Sequence, residues 1–365
     1  MFLLVLLLGL AAREVALELR PSFLRPGLHL YAYVGNSGDG TVTAVDLVKL
    51  SPTATIWVGT GPTGIRAHPT RKEIWGLSSA DGSAWVLEAT SNRIVARIPV
   101  GASPYALDFS PDGARAYVAA SGSDSVVAID CASRTIVGRG RAGRRPWIAR
   151  VSPDGSLVVV SNRDDATVSV LDAATLQSRG TIPVAPDPEQ IAILPDSSKA
   201  FVTSGSKDEI SVVDLKRSAL LANLALDGTP DSLVLKPDGG ELYIPSSNAH
   251  GLLIVNTQTN EVGTYFLLLG MSPAAAVLTA DASTLYVSDP AAGHVVPVAI
   301  NIRQVAHPIS VGQDPHTGQM TPGDDLLVVV DTASDELAIV RAKTSGLITL
   351  IPTGAQPHDL AIKVF

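Results

Sequence analysis

The chain has 365 residues, more than the roughly 100–200 that one ordinary domain contains, so it forms either two domains or one large repeated architecture. Hydrophobic residues make up 46% of it, charged residues make up only 17%, and there are 31 glycines and 25 prolines. This composition excludes a disordered or coiled-coil protein. The net charge of −8 argues against nucleic acid as the main partner, and the single cysteine, Cys131, excludes an internal disulfide and a cysteine-based zinc site.

The first predicted element is an apolar run of eleven uncharged residues, 2–12. It is shorter than the roughly 20 residues of a membrane-spanning helix but typical of a signal-peptide core. Gly9 and Ala11 supply small residues where a signal peptidase cleaves, although no Lys or Arg precedes the run. No later segment is long enough to span a membrane. We therefore expect residues 1–29 to be a signal peptide and leader, and the mature chain to be exported, periplasmic or extracellular, and without a transmembrane segment.

Downstream of this segment, one proline recurs at a nearly constant interval. The interval is 42 residues in six cases and 43 in one, and the prolines are Pro62, Pro104, Pro146, Pro188, Pro230, Pro273, Pro315 and Pro357. A second column begins short apolar runs with the same period: Tyr33, Trp75, Tyr117, Val159, Phe201, Tyr243, Tyr286 and Val328. Because two columns share one period, the sequence predicts a tandem repeat.

A third column closes the apolar runs with acidic or amide side chains in six of the eight units. Its members are Asp46, Glu88, Asp130, Asp172, Asp214 and Asn256, and Ala299 and Arg341 stand at this position in the last two units. Asp or Asn at the end of a strand accepts hydrogen bonds from its own backbone two residues on. We therefore interpret this column as structural.

Each repeat contains four apolar runs separated by turn residues, as residues 104–143 show best. The runs are 105–110, 116–120, 125–130 and 136–140, with Pro-Asp-Gly and Gly-Ser-Asp turns between the first three. Runs rich in β-branched residues without helical spacing predict strands. Four strands in a period of about 40–45 residues are typical of one blade of a β-propeller, so we predict an all-β fold.

The number of blades follows from the length of the repeated region. Residues 30–365 number 336, which is eight times 42. The first repeat lacks an innermost strand, whereas residues 357–362 supply one with nothing after it. We therefore predict one β-propeller domain over residues 30–365, with eight four-stranded blades and one blade shared between the two chain ends. Closure of this kind pairs the edges that an open array leaves exposed.

The repeat resembles the YVTN β-propeller family of surface-layer and other extracytoplasmic proteins. The eponymous stretch stands at residues 33–36 (YVGN), 117–120 (YVAA), 159–162 (VVSN), 201–204 (FVTS) and 286–289 (YVSD), and Ser-Pro-Asp-Gly stands at residues 110–113 and 152–155. The resemblance makes seven blades the alternative to eight. It implies a fold shared by lactonase-like enzymes, cofactor-carrying periplasmic proteins and binding scaffolds, so it does not select one function.

The residue after each recurring proline is predicted to face the central channel, where propellers and barrels commonly bind ligands. This ring comprises Thr63, Tyr105, Trp147, Glu189, Asp231, Ala274, His316 and His358. The residue type at this position varies from repeat to repeat, whereas the surrounding positions are similar. The ring supplies two aromatic rings, and it supplies two carboxylates and two histidines, each pair in adjacent blades. We therefore predict a binding funnel at the channel mouth.

Two pairs within the ring have possible chemical roles. His316 and His358 are potential metal ligands in adjacent blades, but two ligands do not make a site and a role in the repeat consensus is the alternative. Glu189 and Asp231 are either a general acid and base or solvated acids. The sequence identifies no metal, no cofactor and no catalytic residue.

Arginines add a third candidate feature. Arg145 precedes the ring residue Trp147, so a planar or anionic ligand would meet a guanidinium and an aromatic face together. Arg66 and Arg150 stand four residues after the proline in alternate blades, with Asp108 at the same place between them. The three residues form either a salt-bridge ladder or part of a ligand site.

The sequence contains no phosphate-binding glycine loop, no Gly-x-Ser-x-Gly elbow and no His-Glu-x-x-His motif. We therefore favour a non-enzymatic binding or interaction module whose partner, a protein or a small-molecule ligand, binds at the channel mouth. Whether the chain is an enzyme stays open. The alternatives are a lactonase-like or lyase-like metal-dependent enzyme and a periplasmic protein that binds haem or a quinone through His316, His358, Trp147 and the arginines.

Overall fold

The computed structural model describes residues 28–263, 266–267 and 271–365. These residues form eight antiparallel sheets arranged as the blades of a β-propeller, so the predicted all-β fold and the count of eight blades are confirmed. The expected leader, residues 1–29, lies outside the described residues except for residues 28 and 29.

Blade 1 contains strands from both ends of the chain. Its strands are β1 (Leu30–Asn36), β2 (Thr41–Asp46), β3 (Ser51–Trp57) and β34 (Pro357–Val364). The order is β3-β2-β1-β34, so the C-terminal strand is innermost. This is the predicted shared blade, and it closes the ring.

Blades 2 to 5 each contain four strands that run in chain order from the innermost to the outermost. Blades 2 and 3 consist of β4 (Pro62–Ala67), β5 (Glu73–Ser78), β6 (Ser83–Glu88), β7 (Arg93–Pro99), β8 (Pro104–Phe109), β9 (Arg115–Ala120), β10 (Ser125–Asp130) and β11 (Thr135–Arg141). Blades 4 and 5 consist of β12 (Pro146–Val151), β13 (Leu157–Asn162), β14 (Thr167–Asp172), β15 (Ser178–Pro183), β16 (Pro188–Ile193), β17 (Lys199–Ser204), β18 (Glu209–Asp214) and β19 (Ala219–Ala225).

Blades 6 and 7 differ from the others because their outer strand is divided into two short pieces that pair with the same third strand. Their strands are β20 (Val234–Leu235), β21 (Glu241–Ser246), β22 (Gly251–Asn256), β23 (Glu261–Val262), β24 (Phe266–Leu267), β25 (Ala275–Leu278), β26 (Thr284–Asp289), β27 (His294–Ala299), β28 (Gln304–Val305) and β29 (Ile309–Ser310). Blade 8 is regular and consists of β30 (Pro315–Met320), β31 (Leu326–Asp331), β32 (Glu336–Arg341) and β33 (Gly346–Pro352).

The innermost strands of neighbouring blades contact one another around the channel, β34 with β4, β4 with β8, β8 with β12, β12 with β16, β25 with β30 and β30 with β34. The only helices that the described residues form are three 3₁₀ turns, Ser121–Ser123, Arg163–Asp165 and Ala342–Thr344. No helix in this part of the chain has the length and apolarity needed to cross a membrane.

The core lies between neighbouring blades. Trp75, Leu77 and Leu107 pack with Val118 and Val127 between blades 2 and 3, and equivalent clusters fill the other interfaces. The second strands β5, β13 and β31 are buried on both faces, whereas outer strands such as β7 and β11 alternate between exposed and less exposed positions. Burial on both faces accounts for the continuous apolar runs that begin at the second column.

The repeated turns have the predicted structural roles. In Ser-Pro-Asp-Gly, Asp112 Oδ1 accepts the Ala114 N–H at 2.9 Å, and Gly113 has a φ of 69°, which glycine adopts without strain. At the ends of third strands, Asp46 Oδ1 accepts the Val48 and Lys49 N–H groups at 2.9 Å. Asp130, Asp172, Asp214 and Asn256 make the same kind of bond.

Candidate functional site

The start of the innermost strand positions most of the ring residues. The residue before the recurring proline has a left-handed conformation in six blades, with φ between 46° and 65°: Gly61, Ser103, Arg145, Asp187, Asp314 and Gln356. Just after the proline the pairing with the second strand is irregular, and five ring residues have no partner in the register: Tyr105, Trp147, Glu189, His316 and His358. Bulges of this kind redirect side chains and are common beside functional sites.

Loops of blades 2, 3 and 4 surround a cavity of about 630 Å³, which we name the mouth cavity. Its lining includes Tyr105, Trp147, Arg144, Arg145, Asp124 and Asp164. Its volume is that of sites that bind small organic molecules. The structure therefore places Tyr105, Trp147 and Arg145 of the predicted site in one cavity.

A stack of flat groups lies at the wall of the mouth cavity, where Tyr105, Trp147 and Arg145 line it. The rings of Tyr105 and Trp147 are stacked with centroids 3.4 Å apart and planes 20° apart. The guanidinium carbon of Arg163 lies 4.5 Å from the centroid of Trp147, and that of Arg145 lies 5.6 Å from it. Stacked aromatic rings and guanidinium groups form a rigid planar surface with a low cost in side-chain entropy.

The arginines of this region are paired with carboxylates. Arg163 contacts Asp187 at 2.5 and 3.0 Å and Glu189 at 2.9 Å, and only 19% of its side chain is exposed. Arg144 bonds to Asp165 and donates to the Asp164 carbonyl at 2.9 Å. These bonds raise the pKa of Arg163 and lower the pKa of Asp187. The pairs therefore orient the arginines and neutralise much of their charge.

Arg145 is the least constrained arginine of the mouth cavity. Its Nη1 lies 3.5 Å from Asp164 Oδ1, and 49% of its side chain is exposed. Its backbone N–H donates to Asp124 Oδ1 at 2.9 Å, so the backbone is fixed while the guanidinium is exposed beside Trp147. Such a guanidinium can reorient over a planar ligand.

The two predicted carboxylates have different surroundings. Glu189 bonds to Arg163, and burial raises its pKa, as do Asp187 and Asp231. Asp231 is exposed, and its Oδ2 accepts the Ser247 N–H at 2.6 Å. Both carboxylates therefore have partners within the chain, and Glu189 forms part of the wall around the stack.

The two predicted histidines do not share one environment. His316 is exposed, with Nδ1 3.7 Å from Asp314 Oδ1. His358 lines the channel, and its Nδ1 is buried without a hydrogen-bond partner among the described residues. In the same part of the chain, no group of three or more His, Cys, Asp or Glu side chains is arranged to hold a metal ion.

The remaining ring residues make local contacts. Thr63 lines the channel, and its hydroxyl donates to the Tyr105 carbonyl of the next blade at 3.0 Å. The Ala274 N–H donates to the Ser288 carbonyl at 3.1 Å. Thr63 therefore links two blades, while the backbone of Ala274 bonds within its own blade.

Below the mouth, the innermost strands enclose a second space of about 490 Å³, which we name the channel cavity. Its lining includes Tyr105, Arg66, Arg150, Gln319, His358 and Asp359. Tyr105 belongs to both cavities, so the two spaces adjoin. Of the predicted site residues, Tyr105, Trp147 and Arg145 line the mouth cavity and Tyr105, Arg66, Arg150 and His358 line the channel cavity, whereas Glu189, Asp231 and His316 line neither.

The arginines of the channel cavity do not form the expected ladder with Asp108. Arg66 Nη1 lies 3.8 Å from Asp359 Oδ1, whereas Asp108 Oδ2 accepts the Val151 N–H at 2.9 Å. Asp359 stands two residues after its proline, not four, so a search for equivalent positions in the repeat cannot find it. Burial and the charge of Arg66 lower the pKa of Arg150, while Asp108 and Asp359 oppose that change.

Arg163 is the functional candidate that sequence reasoning missed. It lies in the turn between the second and third strands, where blade 7 has Pro290 and the other six blades have Ser, Gly or Thr: Ser37, Ser79, Ser121, Gly205, Ser247 and Thr332. Because Arg163 differs from the residues at the same position of the other repeats, comparison of the repeats could have identified it. Its contact with Trp147, 16 positions earlier, becomes visible only in the folded blade.

No family model and no curated protein matches the chain. Among solved structures, it is similar to dihydro-heme d1 dehydrogenase NirN in complex with DHE, with 18% identity and a TM-score of 0.77 over 94% of this chain and 77% of that one. It is also similar to apo AztD from Citrobacter koseri, with 12% identity and a TM-score of 0.70 over 92% and 98%. Hydrazine synthase from Kuenenia stuttgartiensis matches with 17% identity and a TM-score of 0.61 over 77% and 95%. These likenesses show the fold alone.

Proposed function

We propose that this chain is a non-enzymatic binding protein that takes a planar aromatic ligand in the mouth cavity. The observation that carries the proposal is the stack of Tyr105, Trp147 and Arg163 beside a cavity of about 630 Å³. Flat π-surfaces favour flat ligands, and aromatic and arginine side chains dominate the binding energy of many interfaces.

The charges of the mouth cavity favour recognition by shape. Arg144 and Arg163 are bonded to carboxylates, so they contribute little free positive charge. Arg145 is the exception, because it is half exposed and 3.5 Å from its partner. We therefore expect the ring of the ligand to contribute more affinity than any anionic group it carries.

The solved structures guide the choice of ligand. One structural neighbour is a dihydro-heme d1 dehydrogenase in complex with DHE. A haem or quinone ligand was one alternative that the sequence left open, and both are planar and conjugated. A lactonase-like or lyase-like enzyme is the other alternative, and bound metal with lactone turnover would identify it.

We also propose that the protein is exported and belongs to the YVTN β-propeller proteins. The apolar run 2–12 supports export, because its length is typical of a signal-peptide core. The motifs at residues 33–36, 117–120 and 286–289, together with Ser-Pro-Asp-Gly at 110–113, support the assignment to this family.

The first experiment is a visible absorption spectrum and a metal analysis of the purified full chain, followed by fluorescence titrations with haemin and with menadione. We expect at least one of the two compounds to bind, and Trp147→Ala to weaken its binding about tenfold or more, because the stack that forms one wall of the mouth cavity is lost. Trp57→Ala is the matched control, since Trp57 is 62% exposed on the outer strand β3 with Arg97 4.9 Å from its ring.

The outcomes separate the possible functions. Binding that depends on Trp147 but not on Trp57 supports the proposal. Equal loss in both variants, or no binding of either compound by a colourless and metal-free protein, counts against it and favours a protein partner. Stoichiometric metal with lactone hydrolysis favours the enzyme.

A further inference from the structure

The channel cavity holds two arginines whose arrangement does not depend on the ligand of the mouth cavity. Arg66 and Arg150 both line this cavity, four residues after their prolines in blades 2 and 4. Two guanidinium groups within one space of about 490 Å³ supply many hydrogen-bond donors, because each carries five N–H groups. The acceptors that these donors meet decide what the cavity can bind.

The two carboxylates that act electrostatically on Arg150 are Asp108 and Asp359, and both bond to backbone N–H groups. Asp359 Oδ2 accepts the Ile65 N–H at 2.8 Å, and its Oδ1 accepts the Leu360 N–H at 2.9 Å. Asp108 Oδ2 accepts the Val151 N–H at 2.9 Å, and its Oδ1 accepts the Phe109 N–H at 3.1 Å. All four carboxylate oxygens therefore have a backbone donor. The main role of these carboxylates is to accept N–H groups of the innermost strands.

The arginines consequently keep most of their donors free. Arg66 Nη1 donates to the Ile65 carbonyl at 2.9 Å and lies 3.8 Å from Asp359, beyond hydrogen-bond distance. Arg150 donates no hydrogen bond to any residue within the described ranges, although Asp108 and Asp359 act on it electrostatically. Arg66 and Arg150 are both partly buried, and 36% of the Arg66 side chain is exposed, so their free donors face the channel, where water or a bound ligand can accept them.

The repeat position that holds Arg66 and Arg150 carries hydrogen-bond acceptors in two other blades. Asp108 in blade 3 and Gln319 in blade 8 occupy the same position, and each accepts an N–H from the next blade, that of Val151 and that of Ile362 at 2.9 Å. Arg150 places a donor in blade 4 where those blades place an acceptor. The Arg150 guanidinium can therefore donate hydrogen bonds to an acceptor group bound inside the channel.

We propose that the channel cavity is a binding site for a small oxyanion with two or more acceptor oxygens, held by the guanidinium groups of Arg66 and Arg150. Carboxylates and phosphates share this chemistry, and arginine binds both through two parallel N–H groups. The cavity has room for such a group together with waters. Tyr105 separates this site from the mouth cavity, so the two sites are tested separately.

The test is isothermal titration calorimetry on the full chain at low ionic strength and pH 7, with sodium acetate and inorganic phosphate as probes and sodium chloride as the reference. We expect one or both oxyanions to bind with a Kd of about 1 mM or tighter, while chloride binds more weakly. Binding of acetate alone identifies a carboxylate site, and binding of phosphate alone identifies a phosphate site. If neither oxyanion binds better than chloride, the proposal is overturned.

Variants locate the binding. Arg150→Gln should weaken the binding about tenfold or more, and Arg150→Lys should restore part of it, because the charge returns without the planar fork. Arg93→Gln is the matched control, since Arg93 is exposed on the outer strand β7 and the substitution removes the same charge. Equal weakening by Arg150→Gln and Arg93→Gln overturns the proposal. Arg66→Gln replaces Arg150→Gln if the latter does not fold, as judged by circular dichroism.

Discussion

Asp331 is a buried carboxyl group at a position where blades 1 and 4 carry asparagine. Asn36 and Asn162 each donate to two hydroxyl groups in the third strand of their own blade, at 2.9–3.0 Å. In blade 8 the corresponding third-strand residues are Glu336 and Ala338, so these hydroxyl groups are missing. Asp331 Oδ2 accepts the Gly312 N–H at 3.0 Å, while its Oδ1 is buried without a partner among the described residues.

Burial raises the pKa of Asp331 to about 7 from 3.8. The native state therefore binds this proton more tightly than the unfolded state, so the stabilisation that protonated Asp331 provides is present below pH 4 and is lost as the pH rises towards 7. Asp331→Asn should remove this dependence and raise the stability at pH 8 by about 1 kcal/mol or more relative to the unsubstituted chain.

Urea unfolding at pH 5 and pH 8 measures the effect. Asp227→Asn is the control, because Asp227 is exposed and its substitution removes a carboxylate without changing the core. An Asp331→Asn variant whose stability changes between the two pH values as much as that of the unsubstituted chain would contradict this assignment of the buried proton.

At the same scale, the repeat supplied candidate residues for the site but did not predict where their side chains lie. The residues after the recurring prolines were expected to form one ring. The structure places Trp147 at the mouth, His358 in the channel and Asp231 at an exposed position. The pairing just after the proline is irregular in six blades, so alternation along a regular strand does not describe where these side chains point. Asp231 precedes the paired part of its strand. The partners Arg163 and Asp359 come from other columns of the repeat.

At the scale of the element, the tyrosines of the second column join neighbouring blades. The hydroxyl groups of Tyr33, Tyr117 and Tyr286 donate to the carbonyls of Ala89, Ala173 and Ala342, at 3.1, 2.7 and 3.0 Å. Each carbonyl follows the third strand of the next blade, 56 residues later in the chain. The blades are thus linked by directional bonds as well as by apolar packing.

Tyr286→Phe should reduce the free energy of unfolding by about 1 kcal/mol, because it removes one such bond and keeps the ring that packs against blade 8. Tyr31→Phe is the matched control, since its hydroxyl lies 3.4 Å from Asp46 within a single blade and its loss should change the stability by less than about 0.5 kcal/mol. Equal effects of the two substitutions in urea unfolding would show that the bond between blades has no special role.

The sequence predicted the elements well where the repeat is regular. Four apolar runs predicted four strands, and residues 104–143 form them with nearly the expected bounds. The division of the outer strand in blades 6 and 7 was not predicted, because an outer strand pairs on one side only and its apolar pattern is weak. Val262 and Val305 in these short pieces are exposed, so little burial constrains them.

At the scale of the whole molecule, closure of the ring depends on the last strand. β34 pairs with β1 from Leu30↔Val364 to Asn36↔Pro357, and backbone bonds between His29 and Phe365 at 2.9 and 3.2 Å extend the pairing. The arithmetic of the repeat predicted this pairing, because 336 residues divide into eight units and only the last unit offers the strand that the first lacks.

Deletion of residues 357–365 should therefore affect the entire propeller. It removes the innermost strand of blade 1, exposes the edge of β1 and removes the Asp359 carboxylate that binds the Ile65 N–H of blade 2. An unpaired edge beside an open core promotes association between molecules. We expect the melting temperature to fall by roughly 10 °C or more, with aggregation visible by size-exclusion chromatography.

A variant that keeps the strand separates closure from the loss of single contacts. Asp359→Asn retains β34 and its backbone pairing with β1 while it weakens one bond between blades, so its melting temperature should fall by only a few degrees, about what a loss of 1 kcal/mol produces. If the truncated chain is monomeric and melts within about two degrees of the intact one, blade 1 is stable with three strands and closure by β34 is unnecessary. A large loss confined to the truncated chain would show that the eight blades are stable only as a closed ring.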